Sequence, residues 1–556
     1  MNRYCLYVVM AVLLTAACSK EPPEKEKVIP VTSVSLNQPT ALLLVGYTQT
    51  LDVVVEPADA TNKSVTWGTS DDRVVTVNSE GELTAVAPGT AMIIATADGG
   101  KFIAATCIVT VSATGIAMTT TAFDVYLTIE AENEHITINW GDGEEDKTSS
   151  LGQLEFSHNY SGMSTHQITI AGNILSLNCG NNQLTSLDVS DVTMLNELIC
   201  SENQLTSLDI SRCTALRKLT CSNNQLSSLD VSDVTVLSEL TCSGNQVTSL
   251  DVSRNTVLTT LACSGNQLTS LDISRSFALR KLTCSNNQLS SLDVSDVTVL
   301  SELTCSGNQL TSIDVSRNTA LTTLACSSNQ LTSLDISCNT ALTTLSCTYN
   351  QLTALDINRN IALIELYCSY NQLTALDVSG ATALISLSCD DNQIITLDVS
   401  ATALITLFCR YNQLTSLEVS GATALIELDC TNNQLTTLDV SHNSNLLYLY
   451  CYNNQLTTID VSHNSNLLYL NCNNNQLTTI DGSSSNTLGY LYCENNQLTT
   501  SALNDLFGTL HGNTSTKPPI SGPIGPPYYS VFIKNNPGAS NCEDRIAEGK
   551  GWMVYR

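Results

Sequence analysis

The hydrophobic and polar positions of most of this chain repeat with a fixed period. From residue 174 to residue 497 the unit reads LxxLxCxxNQLTSLDVSxxTA, in which Leu, Leu and Cys alternate with variable positions. Cysteine recurs every 21 residues from Cys179 to Cys389 and, after one missing residue, from Cys409 to Cys493. Alternation with a period of two predicts one short strand per unit, with Leu and Cys toward the interior. Because no single coil can bury its apolar face alone, the repeats are expected to stack as a solenoid.

This unit resembles the leucine-rich repeat, in which a strand is followed by an Asn and an apolar residue. Its 21 residues lie at the short end of that class. The resemblance implies a mostly β fold, a leucine-rich-repeat solenoid of about sixteen 21-residue coils.

Three columns of the repeat allow a chemical interpretation. The cysteines could form disulfides, bind metal or fill the core; in-register parallel strands are a poor geometry for disulfides, and no second thiol or His lies nearby, so the core is favoured. The Asn that follows each Cys is expected to bond backbone groups of its own and adjacent coils. The Asp of the DVS segment is expected to accept backbone N–H bonds, with Ca²⁺ or a basic partner as the alternative.

Two shorter alternating segments precede the repeats and predict two small β-sandwich domains. Residues 30–113 carry short strands with turn signals about every ten residues, and they resemble a bacterial immunoglobulin-like domain of group 2 with Trp67 as its core aromatic. Residues 114–173 contain INWGDG and QITIAG and resemble a PKD-like β domain. Asp142 between two glycines could belong to a metal loop, but a tight turn is favoured. Both domains are expected to act as a stalk.

The segment after the repeats, residues 498–556, is predicted to cap the solenoid. Residues 501–510 have helical spacing, and the remainder indicates a strand, a turn, a short helix and a final strand. The ending resembles the terminal segment of leucine-rich-repeat surface proteins from Bacteroidetes-type bacteria. With the Ig-like and PKD-like segments, this resemblance covers nearly the whole chain. It indicates the architecture specifically, but it gives only weak information about function.

The N-terminus carries the pattern of an export signal. An apolar run within residues 1–17 follows Arg3 and ends at Cys18, too short for a permanent membrane helix. The sequence LTAAC resembles a bacterial lipobox, although Leu14 lies one place further from Cys18 than usual. The resemblance implies a lipid on Cys18 and an exported outer-membrane lipoprotein exposed at the cell surface. The composition of residues 18–29 predicts an acidic, Pro-containing tether. An ordinary cleaved signal is the alternative.

Composition narrows the function classes. The net charge of -29 argues against nucleic acid and anionic membrane surfaces as partners, so the lipid anchor is the expected membrane contact. The six histidines show no nucleophile or metal spacing, and no Gly-rich phosphate loop is present. We therefore expect no enzyme activity, no cofactor and no metal site.

Aromatic residues distinguish the later repeats from the earlier ones. Residues 208–270 recur almost unchanged as 271–333, as expected of scaffold. The later repeats instead place aromatics on or beside the outward strand positions: Tyr349, Tyr367, Tyr370, Phe408, Tyr411, Tyr448, Tyr450, Tyr452, Tyr469, Tyr490 and Tyr492. Polar groups are predicted on the same face: Asp390, Asp391, Arg410, Glu427, Asp429 and Glu494.

Tyr rings suit both protein contacts and stacking on sugars. The aromatic face is therefore predicted to bind an extracellular protein or glycan, in the manner of an adhesin. The alternatives are aromatics that merely tile a β surface, and a structural envelope protein with no selective ligand.

Overall fold

The computed structural model describes residues 28–98, 103–112, 115–131, 136–148, 150, 152–162, 164–481, 483, 487–512 and 529–556. The predicted signal peptide, Cys18 and most of the tether lie outside the described residues. The chain forms two compact units, within residues 1–113 and 114–556. In the part that the model describes, no helix is long and apolar enough to cross a bilayer.

The first unit is a small antiparallel-rich β domain. The strands are β1 Ser33–Leu36, β2 Thr40–Leu44, β3 Thr48–Thr50, β4 Val53–Glu56, β5 Val65–Thr69, β6 Val75–Val77, β7 Glu82–Ala85, β8 Gly89–Ala97 and β9 Ala104–Ser112. They form sheets with the orders β2-β9-β8-β5, β3-β7-β6 and β1-β4. Leu51, Leu83 and Ile93 are fully buried in the core. Trp67, predicted as the core aromatic, is only partly buried, because its strand β5 lies at the edge of its sheet.

The second unit begins with six strands that correspond to the predicted PKD-like segment. They are β10 Gly115–Thr120, β11 Asp124–Ala131, β12 Ile136–Asn139, β13 Glu145–Thr148, β14 Gly152–Asn159 and β15 His166–Ala171. The favoured turn at Asp142 is confirmed, since Gly141 and Gly143 have φ of 82° and 101° and the Asp142 carboxylate accepts the Glu144 N–H at 3.1 Å. The same carboxylate lies 2.7 Å from His158 Nε2.

These strands join the repeats directly. In the first coil, β16 Ile174–Asn178 pairs with β11, and β17 Leu184–Asp188 pairs with β10, both antiparallel. One hydrophobic core runs from Ile116 to Trp552. The segment therefore closes the N-terminal end of the solenoid, and this differs from the detached stalk domain that the sequence suggested.

The repeats form a parallel sheet with one short strand per coil. These strands are β18 Glu197–Ile199, β19 Lys218–Thr220, β20 Glu239–Thr241, β21 Thr260–Ala262, β22 Lys281–Thr283, β23 Glu302–Thr304, β24 Thr323–Ala325, β25 Thr344–Ser346, β26 Glu365–Tyr367, β27 Ser386–Ser388, β29 Thr406–Phe408, β31 Glu427–Asp429, β32 Tyr448–Tyr450, β33 Tyr469–Asn471 and β34 Tyr490–Tyr492. A shorter sheet pairs β28 Thr396–Asp398 with β30 Ser416–Glu418. Leu pairs with Leu from coil to coil, so one column of side chains continues along the solenoid.

The C-terminal segment extends this sheet and covers its end, as predicted. Helix α1 Thr500–Thr509 buries Leu503, Leu506 and Phe507. Strand β35 Ser530–Phe532 follows β34 in parallel, α2 Arg545–Glu548 comes next, and β36 Met553–Tyr555 is the last strand of a 20-stranded sheet. The fold is thus mostly β: a solenoid of about seventeen turns, preceded by an Ig-like domain.

Candidate ligand-binding face

Each coil presents its variable residues on the outward side of the strand. Counting from the ladder cysteine, the Leu at −2 and the Cys point inward, and the residues at −3 and −1 are at least partly exposed in most coils. The residue at +2 takes a positive φ in coil after coil, from 51° to 59° where it is not Gly. The −3 and −1 columns therefore form the face on which a ligand could rest, and the +2 column forms its turn edge.

The Asn column fixes this geometry. Asn203 Nδ2 donates to the carbonyls of Cys179, Cys200 and Ser201 at 3.1, 2.9 and 3.2 Å. Its Oδ1 accepts the N–H of Leu184 at 2.9 Å. The pattern repeats through Asn496 and ends at Asn536 in the cap. The prediction that this amide links adjacent coils is confirmed.

The ladder cysteines are core residues, as favoured by the sequence. All sixteen are fully buried, and burial raises the pKa of thiols such as Cys242 and Cys347 to about 12. Thiols with so high a pKa remain protonated and unreactive at neutral pH. They supply packing beneath the face and no chemistry.

The Asp column is a backbone-capping device. Asp293 Oδ1 accepts the Ser295 N–H at 2.9 Å, and the other members repeat this bond, Glu418 included. The bond to Ser295 holds the pKa of Asp293 below its usual value. Two open grooves of about 340 and 460 Å³ lie beside this column, and the aromatic residues of the sheet do not line them.

The eleven predicted aromatics do not form one patch. Tyr349, Tyr370 and Tyr411 occupy the +2 turn position with positive φ and are 55%, 43% and 53% exposed. Tyr452 lies at +1, directly after its cysteine. The strand positions hold the rest, all half-buried: Tyr367, Phe408, Tyr448, Tyr450, Tyr469, Tyr490 and Tyr492.

Most of the strand aromatics of the last coils touch one another. Tyr469 has its ring centroid 5.0 Å from that of Tyr450, 6.2 Å from that of Tyr490 and 5.3 Å from that of Tyr492. Tyr492 stacks on Phe532 at 4.3 Å, and Phe532 stacks on Tyr555 at 4.5 Å. We call these six residues the aromatic strip: Tyr450, Tyr469, Tyr490, Tyr492, Phe532 and Tyr555.

The two cap residues of the strip were missed by the sequence analysis. Phe532 and Tyr555 follow Tyr492 in strand register, although neither lies in a repeat unit with the ladder cysteine. Ile533 takes the place of that cysteine, and Asn536 follows it at the usual distance of three residues. The IxxN spacing within YYSVFIKNN was the signal that could have located them.

A separate aromatic pair lies on the turn edge. The rings of Tyr349 and Tyr370 stack at 4.1 Å with an interplanar angle of 7°. Their hydroxyl contact, with Asp391 nearby, raises the pKa of Tyr370 to about 12. Between this pair and the strip, the −1 column reads Tyr367, Ser388, Phe408 and Asp429 before it reaches Tyr450.

Except for Glu494, the predicted polar residues cluster at the N-terminal end of the strip, beside Tyr450. Arg410 Nη2 lies 2.9 Å from Asp390 Oδ2, and Arg410 Nε lies 3.8 Å from Asp429 Oδ2. Asp390 is 3% and Asp429 is 7% exposed. Desolvation raises the pKa of Glu427 and of Asp429. Glu494 lies elsewhere, where its carboxylate accepts the Asn473 amide at 2.9 Å.

Comparison with known proteins agrees with this architecture. Residues 30–109 match the family model of the bacterial Ig-like domain (group 2). A curated relative, an uncharacterized protein of Clostridium acetobutylicum, is 38% identical over 85 residues, which are 15% of this chain and 21% of that protein. The chain thus spans about a fifth of that relative's length.

Two solved structures resemble the solenoid. The functional domain of InlJ from Listeria monocytogenes, which includes a cysteine ladder, is 37% identical with a TM-score of 0.54, covering 59% of this chain and 74% of that chain. A leucine-rich-repeat protein of Leptospira interrogans is 25% identical with a TM-score of 0.54, covering 61% of this chain and 95% of that chain. The chain is therefore a leucine-rich-repeat protein that carries a bacterial Ig-like domain ahead of its solenoid.

Proposed function

We propose that this chain is a surface protein that binds an extracellular protein through the aromatic strip. The observation that carries the proposal is the continuity of the strip, in which six rings from the last coils and the cap form one connected set of contacts. Tyr and Phe supply large contact areas with little loss of side-chain freedom, and clustered aromatics dominate the binding energy of protein interfaces.

The earlier coils provide a contrast that supports this assignment. At the same strand positions Lys218 pairs with Glu197 at 3.0 Å, and Lys281 pairs with Glu302 at 2.6 Å. Such exposed cross-strand pairs satisfy each other and contribute little to binding. The strip instead offers half-buried rings that pack against one another and present apolar area for a ligand to cover.

Membrane attachment forms a second part of the proposal. The N-terminal pattern favours an outer-membrane lipoprotein carrying acyl chains on Cys18, with the protein displayed outside the cell. Metabolic labelling with an alkyne fatty acid tests this directly. Labelling of the wild type that disappears in Cys18→Ala supports the anchor, and equal labelling of both excludes acylation at Cys18.

The binding function is tested on arrays of extracellular proteins and of glycans. We compare the whole protein with a Tyr450→Ser/Tyr469→Ser/Tyr492→Ser variant, and with a control in which Thr260, Thr323 and Thr344 of earlier strands become Ser. Loss of about 2 kcal/mol at an aromatic hot spot corresponds to a roughly 30-fold weaker Kd. The control is expected to bind like the wild type.

The outcomes separate the candidate functions. Selective protein hits that the strip variant loses support the proposal. Selective glycan hits lost in the same way would assign the strip to sugars, for which stacking on Tyr rings is equally suited. Hits unaffected by the variant, or no selective hits on either array, would favour the structural envelope protein that is the alternative.

A further inference from the structure

A cluster with more acidic than basic side chains adjoins the aromatic strip at Tyr450, its N-terminal end. Four carboxylates, those of Asp390, Asp391, Glu427 and Asp429, interact with one guanidinium, that of Arg410. Arg410 holds Asp390 through Nη2 at 2.9 Å, Nε at 3.2 Å and its backbone N–H at 2.7 Å. Arg410 therefore pairs mainly with Asp390, and its Nε lies 3.8 Å from Asp429 Oδ2.

The negative charges of Glu427 and Asp429 are less well neutralised by neighbouring positive groups. In the sheet, Glu427 lies between Thr406 and Tyr448, so neither neighbouring strand supplies the lysine that pairs with such a glutamate in the earlier coils. Asp429 Oδ1 accepts the Thr431 N–H at 3.1 Å. A carboxylate that has lost most of its water gains more than an exposed one from a cation placed against it.

Aromatic rings flank Asp429 in the sheet, and Tyr448 lies next to Glu427. Phe408 precedes Asp429 in strand register, and Tyr450 follows it. Ring faces attract ammonium and guanidinium groups, and the attraction adds to that of a nearby carboxylate. The rings beside Asp429 therefore favour an organic cation, the ammonium of Lys or the guanidinium of Arg.

We propose that the ligand of the aromatic strip is a protein segment that places a Lys or Arg side chain against Glu427 and Asp429, between Phe408 and Tyr450. Apolar side chains of the same segment pack on the strip beyond Tyr450. This inference rests on the proposed binding function and adds the charge of the partner to it. A basic segment also complements the net charge of -29, which accelerates encounter.

Selection from a phage-displayed library of random dodecapeptides on the whole protein tests the inference. Selection is repeated on Glu427→Gln/Asp429→Asn and on Tyr469→Ser/Tyr492→Ser. The control is Glu239→Gln/Glu302→Gln, which removes two carboxylates from the −3 column, that of Glu427, in earlier coils. We expect peptides enriched in Lys or Arg on the wild type and on the control, and no such enrichment on Glu427→Gln/Asp429→Asn.

The strongest selected peptide then gives a quantitative test. Its Kd should weaken about tenfold on Glu427→Gln/Asp429→Asn, and by a similar factor when its basic residue becomes norleucine. Raising the NaCl concentration from 0.05 to 0.5 M should weaken binding to the wild type far more than to that variant. A circular dichroism melt verifies that each variant is folded.

The selection distinguishes a failure of this inference from a failure of the proposed function. Peptides that lose binding on Tyr469→Ser/Tyr492→Ser but lack basic residues overturn the inference and leave the proposed function standing. Peptides that bind the strip variant as well as the wild type overturn both. A library that yields no peptide above background overturns the inference.

Discussion

The Asn ladder shows how a single residue type organises each coil. Asn308 Nδ2 donates to the carbonyls of Cys284 and Cys305, both at 3.0 Å, and its Oδ1 accepts the Leu289 N–H at 3.0 Å. The sequence predicted this role because the Asn stands at a constant distance from the strand. With the Ser306 carbonyl at 3.5 Å, four backbone groups of two coils bond to one amide.

Replacing Asn308 by Ala is therefore expected to destabilise the solenoid strongly. A buried backbone group left without a partner costs about 1–3 kcal/mol, so we expect a loss of about 3 kcal/mol in the free energy of unfolding. Urea denaturation measures it, and Gln309→Ala, at the exposed neighbour, is the control. A loss below about 1 kcal/mol would contradict the bonding pattern, since even one orphaned group costs that much.

Asp429 and Asp293 are expected to affect stability with opposite signs. Burial raises the pKa of Asp429, so its charged form disfavours folding, and the protein gains stability as the pH falls through that raised pKa toward the ordinary value of about 3.9. The Ser295 N–H lowers the pKa of Asp293, so stability is lost as the pH falls below that same ordinary value.

Chemical denaturation of two Asn variants between pH 3 and pH 8 tests these signs. At neutral pH Asp429→Asn should be more stable than the wild type, and the difference should shrink as the pH falls. Asp293→Asn should be less stable at neutral pH, and that difference should also shrink in acid. A destabilised Asp429→Asn at neutral pH would show that its contacts outweigh its desolvation.

The turn tyrosines mark a limit of sequence reasoning at the residue scale. The sequence predicts Tyr349, Tyr370 and Tyr411 on or beside the strand face, but they occupy the left-handed turn where most coils have Asn or Gly. A bulky side chain there carries a conformational cost. The pattern of apolar positions identifies strand and turn, but it carries no information on which turn residue has a positive φ.

At the element scale, the one short coil shows where the repeat tolerates change. Between Cys389 and Cys409 one residue is missing, and the following strand keeps its register, with Leu387 opposite Leu407. The deletion lies in the turn after Asp398, where the Thr402 hydroxyl donates to the Val399 carbonyl at 2.7 Å. The turn absorbs the lost residue, and the strands do not move.

Insertion of a glycine should reproduce this difference. Between Ser400 and Ala401 it restores the usual length, and we expect the free energy of unfolding to change by less than about 1 kcal/mol, because loop length costs little. An inserted glycine between Leu407 and Phe408 exchanges the inward-facing and outward-facing positions of the strand. We expect it to lower the free energy of unfolding by about 4 kcal/mol, comparable to the loss of a buried Leu side chain. Equal effects in urea denaturation would contradict the assigned register.

The caps were harder to predict than the repeats. The sequence located the C-terminal helix and strands, because their periodicity is local. The pairing of β10 and β11 with the first coil joins residues 43 to 71 positions apart, and nothing in the period of either segment encodes it. For the same reason, only the strand pairing of the sheet shows that the strip continues onto Phe532 and Tyr555.

At the scale of the whole molecule, the solenoid combines a uniform interior with two different outward halves. Leu, Cys and Asn columns run through nearly every coil, as the spacing predicted. The earlier coils carry Thr, Glu and Lys on the strand face, and the later coils carry the aromatic strip and its adjoining carboxylates. The proposed binding function therefore lies with the variable columns of the C-terminal half and its cap.

Hydroxyl-radical footprinting of the complex with a selected protein from the array tests this assignment most directly. Oxidation of Tyr450, Tyr469, Tyr492 and the cap residue Phe532 should fall on binding, because the partner covers their rings. Phe277, which is 61% exposed in the earlier coils, serves as the internal reference and should be oxidised equally with and without the partner. Protection of Phe277 with unchanged oxidation of the four strip residues would contradict the account.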